Sequence, residues 1–172
     1  MKTLFAMFLL LFLVSGDASA GRIIEGMVKA VYDGDTILLA TREESRLKVR
    51  LYGVDAPETR KPDTPGQPFG ETARRILMYK IMGRRVTAEI MDIDQYKRAV
   101  AVIRYSGKDV NREMVAEGFA WAYRHYLQGT YASEYMDAED RARSRRAGLW
   151  REANPTPPWE FRQVLKNVSR RH

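Results

Sequence analysis

The stretch "VYDGDTILLATREESRLKVRLYGVDAPET", residues 31–59, contains two strands with acidic residues at the mouth of each. "DTILLAT" from Asp35 and "SRLKVRLYGV" from Ser45 have strand length and β-branched content, and turn and charged residues separate them. Working outward, "GMVKAVYDG" from Gly26 adds a strand in front, so the three make a meander. Behind them "KPDTPGQPFG", residues 61–70, holds three prolines and two glycines and reads as a loop. From Glu71 the period changes. Ala73, Ile76, Leu77 and Ile81 follow a 3.6-residue repeat, which predicts an amphipathic helix to about Met82, stopped by Gly83.

Period 2 returns in "RRVTAEIMDID" and "RAVAVIRYSG", predicting two more strands. "DVNREMVAEG" predicts a short helix ending at Gly118, and "SEYMDAEDRARSRRAG" a third, capped by Ser133 and ended by Gly148. In "REANPTPPWEFRQ" the prolines argue against regular structure; a tail with Trp159 and Phe161 packed on the domain is expected. Five short strands with a helix between the third and fourth predict an α+β, mainly β fold: a small Greek-key barrel of the oligonucleotide-binding (OB) type with about three helices.

The first twenty residues combine Lys2, an apolar run from Leu4 to Val14 and small residues at Ala18 and Ala20, the three-part form of a secretory signal cleaved after Ala20. A secreted or periplasmic location follows as an expectation. The run is shorter than the ~20 apolar residues a spanning helix needs. The remainder suits one domain over 21–150 and a tail over 151–172. The chain has no Cys, so no disulfide contributes. Setting the signal aside removes Lys2 and Asp17, which leaves the net charge at +7. Such a domain attracts a polyanion, either nucleic acid or anionic lipid.

In the strand "VRLYGV", Arg50 points away from the side shared by Val49 and Leu51. Asp55 and Glu58 follow at its end, where Pro57 holds Ala56 extended. Antiparallel neighbours would bring these acids to Asp33 and Asp35, and clustered carboxylates repel by several kcal/mol at low dielectric. A metal ion resolves that repulsion. The only histidines are His125 and His172, so zinc and copper lack ligands; oxygen donors point to calcium, with magnesium or manganese behind it. Arg50 and Arg98 can each grip a phosphate through two parallel hydrogen bonds. A hard cation, a spare carboxylate and two arginines are the parts of a phosphodiester hydrolase.

The ordered motifs "DGDT" (33–36), "RLYGVDAPE" (50–58), "FGETA" (69–73), "DQYKR" (94–98), "GFAWAY" (118–123) and "GLW" (148–150) resemble the staphylococcal nuclease family of secreted nucleases. That resemblance implies calcium-dependent cleavage of DNA and RNA on a five-stranded OB barrel. It implies Asp35, Asp55 and the carbonyl of Ala56 as metal ligands, with Asp33 in the outer shell. It implies Glu58 as general base, Arg50 and Arg98 on the scissile phosphate, and Tyr96 and Tyr123 near nucleotide groups. In-line attack with a 5′-oxygen leaving group would give 3′-phosphate products. Ala56 stands where the staphylococcal enzyme has threonine, and the loop over 61–68 is this chain's own. The aromatic residues suit single strands, and a monomer is expected. The alternative from another class is a secreted single-strand-binding module without catalysis, which would not need converging acids. A lipid-binding reading is weaker, because "EDRARSRRAG" lacks a broad apolar face.

Overall fold

The computed structural model describes residues 22–170. The expected signal segment, residues 1–20, lies outside them. The elements are β1 (Arg22–Val31), β2 (Thr36–Thr41), β3 (Arg46–Leu51), β4 (Val54–Asp55), α1 (Gly70–Ile81), β5 (Arg85–Ile93), β6 (Ala99–Tyr105), β7 (Lys108–Asp109), α2 (Val110–Ala116), β8 (Trp121–Ala122), α3 (Gly129–Ser144) and α4 (Pro158–Ser169), with a 3-10 turn at Gly148–Arg151.

Five strands close into a barrel. The hydrogen-bonded order is β3-β2-β1-β5-β6, and β6 returns to β3 in parallel, Val49 opposite Ala99 and Leu51 opposite Ala101. β1 serves two neighbours along its length: Arg22–Met27 pairs with β5 and Gly26–Val31 with β2. Register shifts at Val28/Ala30 and Ile90/Asp92 bend the strands, as closure requires. β1 begins at Arg22, earlier than the sequence pattern predicts, because β5 offers Ile90 and Glu89 as partners to a stretch that shows little alternation of its own.

Val28, Ile37, Leu39, Val49, Ala88, Ala101 and Ile103 are fully buried in the core. α1 presents Ala73, Leu77 and Ile81, spaced four apart, as its buried stripe. Each buried Leu or Ile contributes about 1.5–3 kcal/mol. The pattern in "ETARRILMYKI" therefore predicts this helix correctly, because a stripe of that strength has one face to bury.

Three details differ from the sequence expectations. α3 starts at Gly129, and Ser133 lies inside it, donating to the Thr130 carbonyl at 3.0 Å. The extra turn carries Tyr131 to an edge-to-face contact with Tyr52 at 5.8 Å and aligns it with the fully buried Tyr135, whose hydroxyl donates to Asp109 at 2.9 Å. The proline-rich tail contains a regular helix, α4. Pro158 sits in its first turn, where a missing N–H costs nothing and a fixed φ favours the helix. The short pair β4·β8 joins Asp55 to Trp121, a two-residue pairing too brief to leave a periodic signal.

Asn111 is the buried polar residue on which several of these elements converge. It accepts from the Ile103 N–H at 3.0 Å and donates to the Tyr52 and Ala101 carbonyls at 3.0 Å each, tying α2 to β6 and to the turn after β3. Asn111→Ala strands the Ile103 donor and the Tyr52 acceptor in a dry core and opens a small void, at about 1–3 kcal/mol per orphaned group. The expected loss is about 3 kcal/mol in urea unfolding. A loss below about 1 kcal/mol would show that water or a neighbour replaces the amide.

Candidate active site

The β1–β2 turn aims two aspartates inward. The Asp35 N–H donates to Asp33 Oδ1 at 3.0 Å, and Thr36 Oγ1 donates to Asp35 Oδ1 at 2.9 Å. Gly34 is required by space: a Cβ there would stand 2.6 Å from the Ala56 methyl and 2.8 Å from that of Ala73. The turn can therefore press against both the "DAPE" segment and α1.

Register then places Arg50. It faces Thr36 across the β2–β3 ladder, next to Asp35. Its Nη1 donates to Asp35 Oδ1 at 3.0 Å, and its Nη2 to Asp55 Oδ1 at 2.9 Å and to the Val54 carbonyl at 3.3 Å. The Ala56 N–H donates to the other Asp35 oxygen at 3.1 Å. The two acidic motifs, twenty residues apart, meet on one guanidinium.

Glu58 is held by its backbone. Its N–H donates to Gln67 Oε1 at 3.0 Å, and its carbonyl accepts from the Gln67 N–H at 2.8 Å. Gly70 at the start of α1 lies so close that a Cβ would meet the Glu58 carbonyl at 2.2 Å. The carboxylate is partly open, with Lys61 Nζ at 3.4 Å from Oε2 and Arg162 Nη1 at 2.8 Å from Oε1. Arg162 comes from α4 and also donates to both oxygens of Asp55, at 3.1 and 2.7 Å.

Comparison with known families matches residues 48–152 to the family described as staphylococcal nuclease homologue. The chain belongs to the staphylococcal nuclease family. It is 36% identical over 153 residues to a micrococcal nuclease of Shigella flexneri, covering 84% of this chain and 83% of that protein. It is 33% identical over 165 residues to an uncharacterized endonuclease of Haemophilus influenzae, covering 96% and 87% respectively. A probable endonuclease of Saccharomyces cerevisiae matches at 36% over 131 residues, 69% of this chain and 46% of that one. This staphylococcal nuclease homologue is therefore a nuclease that hydrolyses nucleic acid on a closed OB barrel, in a family that needs a metal ion.

The nuclease's cluster carries more acid than base. Burial pushes the Asp33 carboxyl up to about 7, helped by the negative charge of Asp35 beside it. Burial works on Asp35 too, but Arg50 and the Ala56 N–H outweigh it and hold that carboxyl below the ordinary range. Asp55 ends above its ordinary value, because burial exceeds what Arg162 and Arg50 return. Two buried aspartates with oxygen donors only would suit a hard divalent cation in the place of a guanidinium. Among the described residues no three Asp, Glu, His or Cys side chains form a ready cage. A site built from Asp35, Asp55 and the Ala56 carbonyl needs only two.

Arg98 makes no hydrogen bond to this cluster among the described residues. Its guanidinium bonds Asp94 through Nε at 2.7 Å, and the Asp94 carboxylate also accepts from the N–H groups of Tyr96 and Arg98 at 2.9 Å each. The turn thus fixes the arginine's stem, and neither Nη has a protein partner among the described residues. Tyr96 is exposed, with Arg98 over its ring at 5.4 Å from the centroid. Tyr123 lies close enough to Asp55 that burial and this carboxylate together raise its phenol's pKa. Its ring stacks on Trp159 at 5.4 Å and 18°.

Arg162 and Gln67 are site residues that sequence reasoning missed. Arg162 lies 107 residues from Asp55 and outside the matched segment, with no motif around it. Gln67 sits in the proline-rich loop, where two nearby prolines and a glycine drew attention to irregularity and away from its amide.

Proposed function

We propose that the chain is an exported, calcium-dependent phosphodiester hydrolase that cleaves DNA and RNA, favours single strands and acts as a monomer. The observation carrying this reading is the Arg50 guanidinium shared between Asp35 and Asp55, with Glu58 one residue group further along the same mouth. Asp35, Asp55 and the Ala56 carbonyl would hold the ion, with Asp33 behind them. Bound there, calcium would supply positive charge to the oxygens of the scissile phosphate.

The chain's own groups do the rest. Glu58 Oε2, whose partner is the exposed Lys61 at 3.4 Å, takes a proton from water. The oxygen so freed attacks phosphorus in line, and the bond from phosphorus to the 5′ oxygen breaks; that oxygen leaves with the bonding pair and takes a proton from solvent. Arg98 meets the phosphate with its two open Nη groups while Asp94 steadies its Nε, and Arg50 adds positive charge from the other side. Tyr96 and Tyr123 face the nucleotide. A non-catalytic binding module would have no use for two buried aspartates at the mouth of its groove, since they repel phosphate.

The products test this chemistry. Cleavage of an end-labelled single strand is expected to leave 3′-phosphate and 5′-hydroxyl ends, so that a polymerase extends the fragments only after phosphatase treatment. Fragments extended directly would place the leaving group on the 3′ side and overturn the assignment.

A further inference from the structure

Asp55 has no exposed side-chain surface, and both of its oxygens are engaged: Oδ1 by Arg50 and Arg162, Oδ2 by Arg162 at 2.7 Å. An ion can therefore reach Asp55 only where Arg162 withdraws. The same guanidinium takes Glu58 Oε1, the carboxylate assigned to water. Three residues earlier on the same helix, Trp159 lies flat on Tyr123 and edge-on to Trp121 at 5.6 Å. A planar ring thus covers a tyrosine assigned to nucleotide groups, and a cation covers one of the two carboxylates assigned to metal, Asp55.

The helix making both contacts is lightly held. Pro158 is its one buried residue, Val164 and Val168 are 59% and 50% exposed, and the segment leading into it is tied by Gln67 Nε2 to the Thr156 carbonyl at 3.1 Å. Beyond the Arg162 ion pairs and the Trp159 stack little buried area holds it, so loss of those contacts would free the helix. Arg50 takes only Oδ1 of Asp55 whereas Arg162 takes Oδ2 as well, so Arg162 is the guanidinium that an ion at Oδ2 displaces.

We propose that α4 is a displaceable strap, in which Arg162 competes with the divalent ion for Asp55 and Trp159 competes with a nucleotide for Tyr123. The proposal rests on the functional reading above, and it gives that site a regulation: metal entry and release of α4 are one coupled event. Coupling of this kind is reciprocal, so removing the competitor tightens metal binding by as much as the metal loosens the strap.

The test uses the full chain, wild type and Arg162→Gln, with calcium titrated calorimetrically and amide exchange over 158–169 followed with and without calcium. The expected results are calcium affinity on the order of 10-fold tighter in Arg162→Gln, and faster exchange of the wild-type α4 amides when calcium is added. Equal or weaker affinity in the variant, or unchanged wild-type exchange at saturating calcium, overturns the strap while leaving the calcium site in place. Failure of both proteins to take up calcium overturns the functional reading and the strap with it. The wild-type exchange arm requires no substitution to fold.

Discussion

Glu58→Gln is expected to lower nucleic-acid turnover by about 10²–10⁴-fold, the usual worth of a positioned proton acceptor. The substitution keeps the shape. A glutamine carbonyl can still accept from Arg162, and the Gln67 and Gly70 contacts that place residue 58 are made by its backbone. What disappears is the capacity to take a proton from water. Calcium uptake should persist, because the assigned ligands are Asp35, Asp55 and the Ala56 carbonyl. Initial rates at saturating calcium, beside a calorimetric titration of the metal, separate the two effects. Loss of metal binding in step with loss of rate would make Glu58 a ligand and remove it as the base.

Arg50→Lys should cost on the order of 10²-fold or more in rate, by analogy with removing one charge-stabilising donor. The geometry explains why lysine is no substitute. Arg50 reaches Asp35 with one Nη and Asp55 with the other, at 3.0 and 2.9 Å. A single ammonium cannot hold both with that fork: Asp55 keeps Arg162, but Asp35, whose one cationic partner among the described residues is Arg50, loses part of its pairing. The same change should lower stability in metal-free buffer, by about 3 kcal/mol where a buried charge loses its counter-ion, and added calcium should return part of that loss. Full activity in Arg50→Lys would show that bidentate geometry is irrelevant at this position.

Much of this site was legible before any coordinates. Strands that alternate over "DTILLAT" and "RLKVRL" pair as antiparallel neighbours, and that pairing alone carries Asp35 to Arg50 and brings the "DAPE" turn beside them. The periodic helix α1 was equally plain, since Ala73, Leu77 and Ile81 share one side of it. Arg162 was not legible. Its partners lie more than a hundred residues away, its neighbours form no motif, and the prolines before it suggest irregular chain when Pro158 in fact starts a helix. Asn111 was hidden for a different reason: followed by Arg112 and Glu113 in a seven-residue helix, it looks solvent-facing until β6 and the Tyr52 carbonyl close around it. Arg98 shows how a correct motif can mislead about contact. "DQYKR" places its arginine on its own aspartate, and only the Nη end remains for a ligand.

Hydrolysis of phosphodiesters by this acid and arginine cluster is expected to depend on calcium. The most direct measurement is degradation of single-stranded DNA by the chain from Gly21 onward, in calcium, in magnesium and in chelator. Cleavage in calcium that stops on chelation is the expected result. Tight, salt-sensitive binding with no cleavage under any metal would contradict it.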